Sequence, residues 1–129
     1  MNFNQIPSTP IYELKSTYHN NAVYIKRDDL IPVSFGGNKA RKAVLFFQDM
    51  QREGSDCVVT YGSSSSNHCR IIANIAASLG VPCYIIAPSE ASDRTYNSDM
   101  VGLLGAKVTY CPVVDVSHMI EHTLEELRA

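Results

Sequence analysis

Residues 57–87 read CVVTYGSSSSNHCRIIANIAASLGVPCYIIA, and this stretch decides the fold class. Its first five residues are rich in β-branched side chains and predict a strand. A serine-rich turn follows, and apolar residues then recur at helical spacing from about Asn67 to Leu79, with Gly80 as the stop. Residues 83–87 are apolar enough to predict a strand that is covered on both faces. The stretch is therefore a strand–helix–strand unit.

The same alternation continues toward the C-terminus. We predict a third helix from about Ser92 to Leu104, with Tyr96, Met100 and Leu103 on its apolar face. A strand at 107–111 and a last helix at about 116–128 follow. Each connection between strands is long enough for a right-handed crossover between parallel strands. The sequence therefore predicts an α/β fold with a parallel, doubly wound, three-layer αβα sheet.

The N-terminal part is less regular. Residues 1–22 carry two prolines and little periodicity, which predicts an arm lying on a surface, and residues 23–25 predict a short strand. A glycine turn then leads into a helix from Asn38 to about Arg52. We therefore divide the chain into an N-terminal arm, short strand and lysine-bearing helix at 1–56 and an α/β small domain at 57–129.

Composition excludes several classes of function. A net charge of −2 gives no case for nucleic acid or an anionic membrane as partner. No apolar run approaches the roughly 20 residues of a membrane span, and the first residues do not form a signal peptide. The four cysteines form no Cys-x-x-Cys pair, which favours free thiols in a reducing cytoplasm. His118 and His122 predict a surface pair rather than a metal site.

Lys39 lies in the first turn of the predicted helix, directly after Gly36-Gly37-Asn38. Exposed N–H groups at a helix start favour an anion nearby and oppose an extra proton on an amine. A neutral lysine can form a Schiff base with an aldehyde. The alternative is a glycine turn before an amphipathic helix, with the lysine in solvent.

The serine turn, Gly62 to His68, links a strand to a helix at the end of the sheet where ligands bind. We expect hydroxyls and free N–H groups to converge there on an anion or carboxylate. The alternative is that serine and asparagine serve only as caps and turn formers. The turn has neither the lysine of a phosphate-binding loop nor the spaced glycines of a dinucleotide site.

Three segments together carry a family resemblance: Lys26–Leu30, Gly36–Lys42 and Ser66–Arg70. In this order and spacing they resemble the pyridoxal-phosphate enzymes of the tryptophan synthase β-like fold. The similarity is to the branch of 1-aminocyclopropane-1-carboxylate (ACC) deaminase and D-cysteine desulfhydrase. The α/β pattern after residue 57 is similar to the smaller domain of that fold.

The resemblance implies a role for each matching residue. Lys39 would hold pyridoxal 5′-phosphate (PLP) covalently and then move protons at the substrate, so it is both a catalytic and a cofactor-binding residue. Ser66 would act in proton transfer or hold the substrate carboxylate. Asn67 would bind the 3-oxygen of the cofactor and lie near that carboxylate. His68 stands where relatives carry glutamine or histidine, and is a substrate-binding candidate. No metal is implied.

The chain also departs from the family pattern. Relatives have Gly-Gly-Ile-Gln before the Ser-Asn pair where this chain has Gly62-Ser63-Ser64-Ser65, and no second glycine-rich phosphate loop occurs between 71 and 129. Family enzymes are more than twice as long. We therefore expect the N-terminal portion of a lyase or deaminase for a small amino acid, inactive without its C-terminal part. Without that part, Phe46 or Phe47 is expected to be exposed.

The expected partners are a small amino-acid substrate and either a C-terminal partner chain or a second copy, with neither nucleic acid nor membrane. Two alternatives stay open. One is a non-catalytic α/β module, or truncation product, that binds a small carboxylate or anion at the serine turn. The other is a β-replacement synthase or racemase of the same fold.

Overall fold

The computed structural model describes residues 8–15 and 19–129. The elements in chain order are β1 (Ile11–Glu13), β2 (Tyr24–Lys26), α1 (Asn38–Glu53), β3 (Val58–Tyr61), α2 (Asn67–Leu79), β4 (Cys83–Pro88), α3 (Tyr96–Leu103), β5 (Lys107–Cys111) and α4 (Val116–Arg128). Single 3₁₀ turns precede α1, α3 and α4 at Asp28–Leu30, Ser89–Ala91 and Val113–Asp115.

The three strands β3, β4 and β5 form a parallel sheet in that order. Successive residues of β4 alternate between its faces: Ile85 packs with α2 and α3, whereas Ile86 packs with the start of α4. Helices therefore cover both faces of the sheet. The prediction of a parallel, doubly wound αβα sheet is confirmed.

Helix α1 packs directly against α2. Its buried face is rich in alanine, which lets the two helix backbones approach closely, and it belongs to the same apolar cluster as α2; its members are Ala40, Ala43, Val44 and Phe47. The helix that carries Lys39 is therefore held by core packing rather than by a loop alone. The division into 1–56 and 57–129 stays a prediction. The expectation that Phe46 or Phe47 is exposed is confirmed at Phe46, which is 50% exposed, whereas Phe47 is buried, at 2%.

The predicted bounds of α2, β5 and α4 are confirmed, and α1 extends one residue beyond its predicted end. The prediction for α3 is wrong at its start and in its apolar face. The helix begins only at Tyr96 because Thr95 and Ser98 form a reciprocal capping box. Val101 is its buried residue, whereas Tyr96 and Leu103 are 91% and 82% exposed.

The prediction of an irregular arm over residues 1–22 is wrong for Ile11–Glu13. This strand pairs antiparallel with β2, with Ile11 opposite Lys26, and both strands are exposed along their length. Residues 1–7 and 16–18, which the same prediction included, lie outside the described residues.

All four cysteines are free thiols. Cys57 is half-buried, and the other three are buried. Burial raises the pKa of the Cys69 thiol, and it raises the pKa of the Cys83 thiol to about 12. These thiols are therefore protonated at neutral pH and pack as small apolar side chains.

Candidate active site

The starts of α1 and α2 form the two walls of an open cleft of about 270 Å³. Its lining includes Gly36, Gly37 and Lys39 from the first wall, and Asn67 and Arg70 from the second. The cleft thus brings together Lys39, from the motif at 36–42, and Asn67, from the motif at 66–70.

The loop before Lys39 has an unusual backbone. Ser34, Phe35, Gly36 and Gly37 all have positive φ, at 47°, 64°, 69° and 101°. A Cβ added at Gly36 would lie only 2.5 Å from the carbonyl oxygen of Asp28, so no side chain fits there. Glycine is therefore required both for the angle and for the close approach.

Asp28 holds this loop in place. Its carbonyl oxygen accepts from the Gly37 N–H at 2.7 Å. Its carboxylate accepts two hydrogen bonds from Arg41 of α1, at 2.6 and 2.8 Å, and a third from the Thr9 hydroxyl at 2.7 Å. The hydrogen bonds from Arg41 and then Thr9 hold the pKa of the Asp28 carboxyl well below its usual range. Asp28 therefore fixes the residues on both sides of Lys39.

Lys39 is half-buried in the first turn of α1. Within residues 8–15 and 19–129, its amine takes part in no ion pair and no hydrogen bond. The N-cap residue of α1, Gly37, has no side chain to cap the first-turn N–H groups. Those N–H groups leave positive potential at the cleft, which favours a negatively charged ligand.

Ser66 is the N-cap of α2. Its hydroxyl oxygen accepts from the Cys69 N–H at 3.2 Å, and a side-chain hydrogen bond also links this hydroxyl to the Cys69 thiol. A Cβ at Gly62 would lie 2.8 Å from that hydroxyl oxygen and 2.6 Å from the Cys69 sulfur, so a side chain there would displace Ser66 or Cys69. Ser66 borders Asn67 in sequence but does not line the cleft. Its catalytic role stays a prediction.

Several backbone N–H groups of the serine turn form hydrogen bonds within the protein. The N–H groups of Gly62, Ser64 and Ser66 donate to the carbonyl oxygens of Ile86, Ala91 and Ser63. The expectation of free N–H groups is therefore wrong for these three, and an anion site at the rest of the turn stays a prediction. The turn is a tightly tied connection that sets where α2 begins.

His68 is not among the residues that line the cleft. Its Nε2 lies 3.0 Å from the Thr60 hydroxyl, and its ring meets the Phe46 ring edge-on at 6.5 Å. Burial, and then the charges of Lys42 and Lys39, lower the pKa of His68, so the imidazole is neutral at pH 7. Its role in substrate binding stays a prediction.

Sequence reasoning gave no role to two polar residues near the cleft. Arg70 lines it and lies over the Phe35 ring, 5.4 Å from the centroid. Because Arg70 follows Asn67 by three residues on α2, helical spacing alone would place both on one side. The second residue, Asn97 at the start of α3, contacts Asn67 at 3.1 Å, and no local sequence signal indicated this contact.

Within 8–15 and 19–129, no group of three histidine, cysteine, aspartate or glutamate side chains is arranged to hold a metal ion. Over the same residues, no helix is both long and apolar enough to cross a membrane.

The sequence profile of the pyridoxal-phosphate dependent enzymes matches residues 3–128. The chain therefore belongs to this family of PLP enzymes. The D-cysteine desulfhydrase of Serratia proteamaculans (strain 568) is 38% identical over 112 residues, which are 81% of this chain and 34% of that enzyme. The D-cysteine desulfhydrase of Yersinia pestis (strain Pestoides F) is 46% identical over 78 residues, which are 59% of this chain and 24% of that enzyme.

Solved structures agree with this assignment. An ACC deaminase homologue superposes with a TM-score of 0.77 at 29% identity, over 93% of this chain and 38% of that protein. An O-ureido-L-serine synthase superposes with a TM-score of 0.74 at 17% identity, over 97% of this chain and 40% of that protein, which shows the fold alone. The chain spans about a third of the length of the curated relatives that it matches.

The cleft residues fit one end of PLP. An amine at Lys39 suits the aldehyde carbon of the cofactor, and an amide at Asn67 can donate to a ring oxygen. For the phosphate the fit is incomplete, since the glycines after Ile71 are the isolated Gly80, Gly102 and Gly105. Phosphates are usually held by successive backbone N–H groups of a glycine-rich turn.

Proposed function

We propose that this chain is the lysine-bearing part of a PLP-dependent lyase or deaminase that acts on a small amino acid of the D-cysteine or ACC type. The observation that carries the proposal is that Lys39 and Asn67, from two different helices, line one cleft. The family membership and the named relatives support the cofactor and the class of substrate.

Each residue has a task in this proposal. Lys39 is the amine that would hold the cofactor, and it is clamped in place through Asp28 and Arg41. Bound PLP supplies an electron sink for negative charge at the substrate carbon. The Lys39 amine would take or return a proton at that carbon. The Ser66 hydroxyl, at the start of α2 beside Asn67, would donate to the substrate carboxylate or take part in proton transfer.

Full activity in this proposal requires the remainder of the active site from a C-terminal partner chain or segment. The exposed pair β1 and β2 offers an apolar surface for such an association; its members are Ile11, Tyr12, Tyr24 and Ile25. Sedimentation velocity at increasing concentration tests self-association, and a monomer at every concentration would count against a homo-oligomer.

The covalent link to Lys39 is tested by absorbance. PLP is titrated into the chain, alone and with the C-terminal region of a D-cysteine desulfhydrase, and the lysine–cofactor band is followed. We expect a band that Lys39→Ala removes and that Lys107→Ala, at the start of β5, leaves unchanged. If the completed protein forms no band that depends on Lys39, the proposal fails.

The substrate is tested separately, by assaying ammonia, sulfide and pyruvate or 2-oxobutyrate from D-cysteine, L-cysteine and ACC. A desulfhydrase or deaminase releases these products, whereas a racemase interconverts the two cysteines and a synthase needs a second nucleophile. Absence of ammonia and sulfide, with racemisation or replacement instead, would move the chain to the synthase and racemase alternative.

One observation favours a second candidate, a non-catalytic module that binds a small carboxylate. It is the absence of a glycine-rich phosphate loop between residues 71 and 129. Titration of acetate or D-alanine followed by NMR tests this candidate, and a lack of shifts over residues 62–70 would end it.

A further inference from the structure

Three polar side chains form a hydrogen-bonded chain beside the cleft. Asn97, in the first turn of α3, donates its Nδ2 to the Ser65 carbonyl oxygen at 2.7 Å and to Asn67 Oδ1 at 3.1 Å. Arg70 donates from Nη1 to Asn97 Oδ1 at 3.3 Å. The chain therefore joins α3, which does not line the cleft, to two residues of α2 that do.

The partners of Asn97 fix which way its amide points. The two ends of an amide are nearly alike in shape, so hydrogen-bond partners must decide between them. The Ser65 carbonyl can only accept, and the Arg70 guanidinium can only donate. Both requirements give the same answer: the Asn97 NH2 group faces Ser65, and its oxygen faces Arg70.

The orientation of Asn67 follows from that of Asn97. The Asn97 NH2 group also faces Asn67, so the Asn67 atom that meets it must be the oxygen. The Asn67 NH2 group is then left as a donor, and within the described residues it donates to no protein acceptor. Because Asn67 lines the cleft with Lys39, that donor is available to a ligand.

The start of α3 is itself fixed to the serine turn. The Thr95 hydroxyl donates to the Ser64 carbonyl oxygen at 2.6 Å, and Thr95 and Ser98 complete the capping box of the helix. Asn97 thus stands on a rigid helix start rather than on a free loop, and its contact with Asn67 is part of a larger hydrogen-bonded network.

We infer that Asn97 is a positioning residue that holds the Asn67 amide with its oxygen toward α3 and its NH2 group free to donate to an anionic oxygen in the cleft. The inference rests on the proposed function, because it takes the 3-oxygen of the PLP ring as that acceptor. A hydrogen bond to a charged oxygen is stronger than one between neutral groups, so the orientation of Asn67 matters for affinity.

The first test uses the ligand-free chain, so it does not depend on cofactor binding. The side-chain amide of Asn67 is followed by NMR relaxation in the unmodified chain, in Asn97→Ala and in the control Tyr96→Ala, whose side chain is exposed. We expect Asn97→Ala to lower the Asn67 amide order parameter below about 0.6, with no change in the control. An equally ordered Asn67 amide in Asn97→Ala would overturn the inference.

The second test compares PLP with an analogue that lacks the ring 3-hydroxyl. Asn97→Ala should weaken PLP binding about tenfold and leave binding of the analogue unchanged, because only PLP offers the oxygen that Asn67 contacts. Asn97→Asp should weaken PLP binding further. Its carboxylate can only accept, so Asn67 turns its NH2 group toward α3 and presents its oxygen to the cleft.

The outcomes separate the two claims. Equal weakening of both ligands, or of neither, would overturn the positioning role of Asn97 while leaving the proposed function intact. Absence of any Lys39-dependent band in the unmodified chain and its completed form would end the proposed function, and the amide measurement would still decide the orientation of Asn67. Asn97→Asp is also expected to fold, since an acidic residue in the first turn of a helix is favourable.

Discussion

Arg41 donates two hydrogen bonds to the carboxylate of Asp28, with Nη2 2.6 Å from Oδ1 and Nε 2.8 Å from Oδ2. Asp28 lies before the turn of positive φ at 34–37, and Arg41 lies in the helix that follows this turn. The ion pair therefore connects the segments on the two sides of Lys39. This geometry is the two-pronged arrangement in which arginine binds carboxylates most firmly. A lysine between two such fixed points keeps a defined position in the cleft.

The first prediction concerns the pH dependence of this pair. The pKa of Asp28 is held below its usual range, so its contribution to stability is present above the pKa of the unfolded chain, about 3.9, and is lost as the pH falls toward the native value. We expect Asp28→Asn to lower the free energy of unfolding by a constant amount from pH 5 to 8, with a difference that shrinks below about pH 4.

Urea unfolding of the chain and of Asp28→Asn across this pH range makes the comparison. Asp49→Asn is the matched control because Asp49 pairs with Arg52 on the exposed surface of α1, where ion pairs contribute little. A difference that grows as the pH falls below 4 would contradict the assignment of Asp28 as the ionised partner.

The second prediction compares two neighbouring glycines. Gly36→Ala forces a Cβ to within 2.5 Å of a backbone oxygen at a φ of 69°, whereas at Gly37, with φ 101°, the same change meets open space. We expect Gly36→Ala to cost about 3 kcal/mol from strain and overlap, and Gly37→Ala about 1–2 kcal/mol from strain alone. Denaturant unfolding measures both, and equal costs would show that the loop does not pack on Asp28 as described.

The third prediction concerns adjacent phenylalanines on α1. Phe47 is 2% exposed in the cluster shared with α2, whereas Phe46 is 50% exposed. We expect Phe47→Ala to cost about 3–5 kcal/mol of stability. Phe46→Ala should cost no more than about 1 kcal/mol. A larger loss for Phe46 would mean that α1 packs with its other face toward α2.

The fourth prediction concerns thiol reactivity. Cys57 is half-buried, whereas Cys69, Cys83 and Cys111 are buried. Burial, and then the charge of Asp56, raise the pKa of Cys57 as well, so even this thiol reacts slowly at pH 7. We expect Ellman's reagent to label one thiol slowly in the native chain and all four only after unfolding. Rapid labelling of Cys83 would contradict its burial.

The sequence predicted most of the sheet and its helices because their signals are local. Helix α2 has a serine cap, a stripe of isoleucines and a terminal glycine, and its predicted bounds are those observed. Helix α3 is only eight residues long, and over so few residues the spacing of Tyr96 and Leu103 could not identify the buried face. The strand Ile11–Glu13 was not predicted because it is defined by its pairing with β2, and its own three residues show no strand pattern.

Part of the candidate site was also predictable. Lys39 and Asn67 follow from motifs at the starts of two helices, and the structure brings both to one cleft. Asn97 and Asp28 could not be assigned in the same way. Asn97 contacts Asn67, 30 residues earlier in the sequence, and only the packing of α3 on α2 brings the two together. Asp28 contacts Arg41, 13 residues later, and only the fold of the intervening loop creates that contact.

The central claim is that Lys39 is the lysine that holds the cofactor. The most direct test adds PLP to the completed protein, reduces the lysine–cofactor bond with borohydride and maps the modified peptide by mass spectrometry. Five lysines compete, namely Lys15, Lys26, Lys39, Lys42 and Lys107. We predict a single stoichiometric modification at Lys39 that disappears in Lys39→Ala. Modification centred on any other lysine, or spread evenly among the five, would contradict it.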